Sequence, residues 1–239
     1  MTLRAENISV GYRRKVVFEE LDWTLRPGDR VVLLGPNGAG KTSLMKTCAG
    51  LLRPRGGRVA THEHEAATPQ ELAEAVALMP QQITAVPRLS CREQVAYAGW
   101  LAGLPTSEAE QRADGALVAV GLTDQAATRS KALSGGQLRR LGLAESLVRR
   151  TGVLLLDEPT AGLDPAQRAR FRRVLADLPP ENTVVVSTHE THDIAEAFTR
   201  VCILDSGRFV FDGSPEELLE RTGAHTIELA YAQIMENAA

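Results

Sequence analysis

Residues 35–42 read Gly35-Pro36-Asn37-Gly38-Ala39-Gly40-Lys41-Thr42, which fits the pattern G-x-x-x-x-G-K-[ST]. The chemistry of that pattern is a polyphosphate cradle. Small residues let successive backbone N–H groups curl around phosphate oxygens, and a helix N-terminus behind them adds partial positive charge. Lys41 would neutralise the β- and γ-phosphates, and Thr42 would ligate Mg²⁺. The bland alternative is an ordinary glycine-rich turn. The aliphatic run "RVVLLG" before it, the helical stretch "TSLMKTCAGLL" after it and the Lys-Thr pair argue together against that alternative.

Further along, "VLLLDEP" puts Asp157 and Glu158 at the carboxyl end of an apolar run, the edge at which open α/β sheets bind ligands. An Asp there can hold Mg²⁺ through water. An adjacent Glu can take a proton from an attacking water, a contribution typically worth about 10²–10⁴-fold. Alone, such a pair reads as helix capping; downstream of a phosphate loop the catalytic reading is the stronger. His189 closes "TVVVSTH" and would lie near the same sheet edge, within reach of a γ-phosphate. The stretch "HETHD" is one residue short of the zinc-protease pattern H-E-x-x-H, so His189 and His192 fall three apart, not four. His62 and His64, in "HEHE", sit in a polar stretch that reads as a solvated loop.

A second glycine-rich turn, "ALSGGQLRR" at 132–140, has no nucleophile and no metal ligand. Ser134 and Gln137 have the spacing of a capping box, with Leu133 and Leu138 placed as a hydrophobic staple. The following "QLRRLGLAESLV" continues as an amphipathic helix. A capped helix does not need Gly135 and Gly136 in its first turn, where each costs about 1 kcal/mol. Glycines do let another molecule approach the backbone, and a helix N-terminus attracts anions. The turn therefore reads as a phosphate-binding surface with no phosphate of its own.

Elements must hold these residues in place. Near-continuous apolar runs at 30–35, 76–80, 152–159 and 183–189 predict the buried strands of a parallel sheet covered on both faces. The fold class expected is a doubly wound α/β core. The first 25 or so residues, and "RVCILDSGRFVFDG" at 200–213, alternate more and predict an antiparallel edge sheet, with "DSG" as a turn. From about 84 to 132 the chain is alanine-rich and predicts a helical insertion, and the last stretch predicts a C-terminal helix with a loose tail. The 239 residues, 44% hydrophobic and 24% charged, suffice to bury a real core. A net charge of −3 makes no electrostatic case for nucleic acid. No apolar run approaches the ~20 residues that span a bilayer, and the first residues lack a signal-peptide core. A soluble chain is expected, with any membrane role supplied by a partner. Cys48, Cys91 and Cys202 are odd in number and widely spaced; they predict apolar packing in a reduced compartment, not a disulfide framework.

"GPNGAGKT", the glutamine after "LMP", "LSGGQ", "VLLLDEP", "GLD" and "STH", in this order and spacing, together resemble the ATP-binding-cassette (ABC) ATPases over residues 3–219. The resemblance implies a P-loop NTPase core with a mixed or parallel sheet, an antiparallel β subdomain and a helical signature subdomain. It implies one nucleotide-binding domain over 1–239, with the helical subdomain at about 84–140 and a C-terminal helix and tail at about 215–239. In the family two such domains pack head to tail around two ATP molecules. By that resemblance Ser134, Gly135, Gly136 and Gln137 of one subunit would contact the γ-phosphate held by Lys41 of the other. Gly35 through Thr42 would form the phosphate loop, with Ser43 just beyond it. Asp157 would be the magnesium-side acid, Glu158 the general base and His189 the switch histidine. Asp164, in "AGLD", would sit in the loop that communicates between subunits. Gln81 would touch Mg²⁺ and the attacking water; Gln82 beside it leaves the register open, and the strand-ending Pro80 favours Gln81. Tyr12 would stack on adenine, with a packing role as the alternative.

Also implied are a homodimer, a cytoplasmic location on the inner face of the membrane, and an integral-membrane permease whose short helix docks near Pro87–Tyr97. The helical subdomain would rotate when ATP binds. Arg168, Arg170, Arg172 and Arg173 read as a solvated helix face. The segment "VATHEHEAATPQELAEA" departs from the family's glycine-containing turn, which leaves the edge-sheet geometry open. The forms "LSGGQLRRLGLAESLV", "DEPTAGLDP" and "STHETHDIAEA" resemble the drug-, peptide- and ion-export group more than the nutrient importers. An import subunit and a non-transport cassette ATPase are the alternatives. The single uninterrupted cassette argues against the latter.

Overall fold

The computed structural model describes residues 1–13, 15–189 and 198–238. Its centre is a sheet whose strands are apolar on both faces, and the period-2 alternation of side chains decides which face each residue serves. Strand β3 (Arg30–Leu34) sends Val31 and Leu33 to one core and Val32 and Leu34 to another. Strand β6 (Val153–Asp157) divides in the same way, Val153 and Leu155 against Leu154 and Leu156. Covering both faces is what makes these runs nearly continuous in hydrophobicity.

Among the described residues the large sheet has six strands in the order β5-β6-β7-β3-β8-β9, where β5 is Val76–Met79, β7 Thr183–Thr188, β8 Arg200–Asp205 and β9 Arg208–Gly213. All pairings are parallel except β8 with β9. A second sheet is antiparallel, ordered β2-β1-β4, from β1 (Leu3–Tyr12), β2 (Lys15–Leu25) and β4 (Gly56–Thr61). The expectation for 200–213 is therefore corrected. The DSG turn is present, with Ser206 at φ 46° and Gly207 at φ 80°, the pair of positive φ values a two-residue hairpin requires. The hairpin belongs to the large sheet, however, because β8 is buried on both faces and pairs with β3. The strand that joins β1 instead is β4.

Helix α1 (Lys41–Cys48) follows β3, and α2 (Pro69–Ala75) precedes β5. Helices α3 (Cys91–Leu101) and α4 (Thr106–Ala119) pack against each other and against α5 (Gly135–Leu147), which also lies on β5 and β6. Helix α6 (Pro165–Ala176) buries Phe171, Val174 and Leu175, one stripe at helical spacing. The C-terminal stretch is two helices, not one. Helix α7 (Pro215–Thr222) stops at Gly223, at φ 67° in a left-handed cap, and α8 (Ile227–Ala238) starts afresh. No helix among the described residues is long and apolar enough to cross a membrane.

Candidate functional site

Four parallel strands end at one edge, and the candidate site residues follow directly from their carboxyl ends. β3 leads into the phosphate loop, β5 into Gln81, β6 ends on Asp157 and runs into Glu158, and β7 runs into His189. The strand order places these ends side by side.

The phosphate loop turns into α1 through Gly40, at φ 110°, a conformation that only glycine adopts at little cost. The helices α2, α3, α5, α6 and α7 are each capped by a side chain: Thr68, Ser90, Ser134, Asp164 and Ser214. Helix α1 has no side-chain cap, so its first-turn N–H groups are left for an anion. Lys41 is buried, with Nζ donating to the carbonyl oxygens of Gly35 at 2.6 Å and Pro36 at 3.2 Å. Burial pulls its ammonium below the ordinary lysine range, and the Glu158 and Asp157 carboxylates pull the other way.

Asp157 is buried and held at both oxygens. Thr42 Oγ1 donates to Oδ2 at 2.8 Å, and Ser187 Oγ donates to Oδ1 at 2.7 Å. Two hard oxygen groups, a hydroxyl and a carboxylate, meet beside the phosphate loop, which is the donor chemistry Mg²⁺ takes. The residues present therefore fit that ion. Glu158 is buried at φ 50°, a left-handed backbone that costs on the order of 1–3 kcal/mol for a non-glycine residue. Its N–H donates to Ser187 O at 3.1 Å and Ser187 Oγ at 3.0 Å. Its carboxylate meets His189 Nδ1 at 2.9 and 3.0 Å.

A cavity of about 490 Å³ opens at this edge, lined by Pro36 through Ser43, by Gln81 and Glu158, and by Tyr12 with its β2 neighbours. Gln81, not Gln82, is on the wall. Tyr12 is half exposed, its hydroxyl 3.2 Å from Ser43 Oγ; the ring is not a core residue. The turn Ser206–Gly207 closes one side. A larger cavity, about 740 Å³, lies under α4 and the end of α5. Neither the glycine-rich loop nor Gln81, Asp157, Glu158 or His189 lines it.

Ser134, Gly135, Gly136, Gln137 and Asp164 do not line the phosphate-loop cavity. The capping box is formed: Gln137 N donates to Ser134 Oγ at 3.3 Å, and Ser134 N to Gln137 Oε1 at 2.9 Å. Leu133 and Leu138 both pack on the core. Gly135 faces open space, whereas a Cβ on Gly136 would lie 2.4 Å from Gln167 Oε1. Asp164 caps α6, accepting from Gln167 N at 2.8 Å.

Sequence reasoning missed Ser187 and Arg139. A serine in the otherwise β-branched "VVVST" was the available signal for the first, since a fully buried hydroxyl needs a partner. His192 lies outside the described residues. Among those described, no group of three or more His, Cys, Asp or Glu side chains is arranged to hold a metal ion, the His62/His64 loop included. Arg168 Nε donates to Leu163 O at 3.0 Å, and Arg170 and Arg173 are exposed.

Residues 18–161 match the family model described as ABC transporter. A Nod factor export ATP-binding protein of Burkholderia lata is 32% identical over 226 residues, 93% of this chain and 74% of that protein. A hemin import ATP-binding protein of Nocardia farcinica is 34% identical over 244 residues, 96% and 85% of the two chains. In fold, the chain is similar to an ATP-binding cassette solved as a dimer in a post-hydrolysis state with ADP and Pi. That match has a TM-score of 0.79 at 23% identity, over 89% of this chain and 98% of that one.

Proposed function

This chain belongs to the ABC transporter family and is its ATP-binding, ATP-hydrolysing subunit, and on that premise we propose that it drives export through a separate permease by closing on a second copy of itself. The observation that carries the dimer is the separation of its two phosphate-type turns. The loop at Lys41 lines the cavity, and the capped turn at Ser134 does not. Gly135 faces open space, so the turn is free to meet a phosphate held by another subunit.

ATP sits with its phosphates on the Gly35–Thr42 loop and its adenine on the Tyr12 ring. Lys41 exchanges the Gly35 and Pro36 carbonyls for the β- and γ-phosphates. Thr42 and Asp157, with Gln81, would hold Mg²⁺. The ion neutralises charge on the phosphate oxygens when bound. Glu158 takes a proton from the water whose oxygen bonds to the γ-phosphorus as the bridging bond to ADP breaks. His189, now on the Glu158 carboxylate, is in place to turn toward the γ-phosphate. Ser134, Gly135, Gly136 and Gln137 of the second subunit close over that phosphate, and Asp164 faces across the interface. ATP is thus the ligand that favours the closed pair.

Helix α3 presents Tyr97 and Trp100, stacked at 5.8 Å between ring centroids, and Leu101, all exposed. These extend the Pro87–Tyr97 surface proposed for the permease, which would hold the subunit on the inner face of the membrane. Export is supported by the sequence forms around Ser134 and Asp164 and by the Nod factor relative. The hemin relative stands on the side of import. Vesicles of the co-purified complex with the ATPase facing outward test the direction. ATP should drive solute inward; ATP-driven release of preloaded solute would mean import.

A further inference from the structure

Arg139 stands on the second turn of α5, the helix that begins with the Ser134–Gln137 cap. Its guanidinium leaves that helix and spans two loops. Nη1 donates to the Gln81 carbonyl oxygen, and Nη2 donates to the Ala161 carbonyl oxygen at 3.1 Å. Gln81 and Glu158 both line the cavity, and Ala161 N closes the turn that starts at Glu158, donating to its carbonyl at 3.3 Å. The next residue, Arg140, behaves differently. Its Nη1 donates to Val120 O and Gly121 O, which ties helices together away from the cavity. Burial draws Arg139 below the ordinary arginine range, opposed by the nearby Glu158 and Asp157 carboxylates.

A planar fork with separate Nη donors can hold two carbonyls at a fixed spacing, which a single ammonium does less well. We infer that Arg139 is a positioning residue that sets the Gln81 loop against the turn following Glu158, so that one side chain of the signature helix aligns both walls of the hydrolytic site. This rests on the roles proposed for Gln81 and Glu158. Arg139 does not itself line the cavity; it acts through the two loops it joins.

The test is a double-mutant cycle in steady-state ATP hydrolysis. R139M keeps the apolar stem and removes both donors. Its kcat should fall by about tenfold or more, as for loss of alignment by a fraction of an ångström, with KM for ATP within about threefold. R139K should recover part of the loss, and serves also if R139M folds poorly. Combined with Q81A, R139M should cost clearly less than it does alone, because part of its effect runs through the Gln81 loop. R140M serves as the structural control, lowering stability without coupling to Gln81. The inference is overturned if the R139M and Q81A effects multiply, if R139M turns over at the wild-type rate, or if its loss only tracks unfolding as in R140M. E158Q, measured alongside, separates the two levels. A dead E158Q with an unaffected R139M sinks only this inference. An active E158Q removes Glu158 as the base, and the Arg139–Gln81 cycle is then decided by its own numbers.

Discussion

Glu158 combines a left-handed backbone with a carboxylate shared by His189. A residue held at φ 50° persists only where its surroundings enforce it, and here the enforcement is Ser187, which receives the Glu158 N–H on two atoms. E158Q preserves that backbone and removes the proton acceptor. Turnover should drop by about 10²-fold or more, ATP should stay bound, and light scattering should find an ATP-dependent dimer that persists. Wild-type turnover, or a monomer at high protein and ATP, would contradict the role. Lys41, Thr42, Asp157 and Glu158 were legible because each lies within a short motif. Ser187 and Arg139 were not. Their partners Asp157 and Gln81 are 30 and 58 residues away in the chain, and only strand order and helix packing bring them together.

At the level of elements, the helical unit is joined to the loop after β5 by more than apolar packing. Gln94 on α3 is buried, accepts from Val86 N at 2.8 Å, and donates to Thr84 O at 3.1 Å and to Glu145 Oε1 of α5 at 2.5 Å. Burial pushes the Glu145 carboxyl up from 4.5 to about 7, against the lowering effect of the Gln94 bond. The folded state therefore keeps this proton to higher pH than the unfolded state. Stability is lost as pH rises from about 4.5 to about 7, and the loss is complete above that window. E145Q keeps the acceptor and removes the titration. In urea unfolding it should match wild type near pH 4.5 and exceed it at pH 8 by on the order of 3 kcal/mol. A gap that does not widen with pH would refute the assignment. Strands buried on both faces were readable from their unbroken apolar runs. The placement of β8 and the break at Gly223 were not, because alternation does not say which sheet a hairpin joins and one glycine does not announce a new helix.

The whole molecule keeps its two glycine-rich turns apart. Its phosphate loop and Glu158 line one cavity, with Asp157 bonded to Thr42 and His189 to Glu158, while its second glycine turn is fully capped and lies off that cavity. Both turns are legible in the sequence, and the family resemblance assigns them to opposite subunits; the fold adds that the Ser134 turn does not line the Lys41 cavity of its own chain. The central claim is that each hydrolytic site takes its phosphate loop from one subunit and its Ser134 turn from the other. The most direct measurement mixes two inactive proteins, K41A and S134R, and follows ATP hydrolysis. In the mixed dimer, the S134R subunit supplies an intact Lys41 loop and the K41A subunit an intact Ser134 turn, so one complete site forms. Activity should appear on mixing and rise with the fraction of mixed dimer. If the mixture stays as inactive as its components while mixed dimers demonstrably form, the site is not shared between subunits.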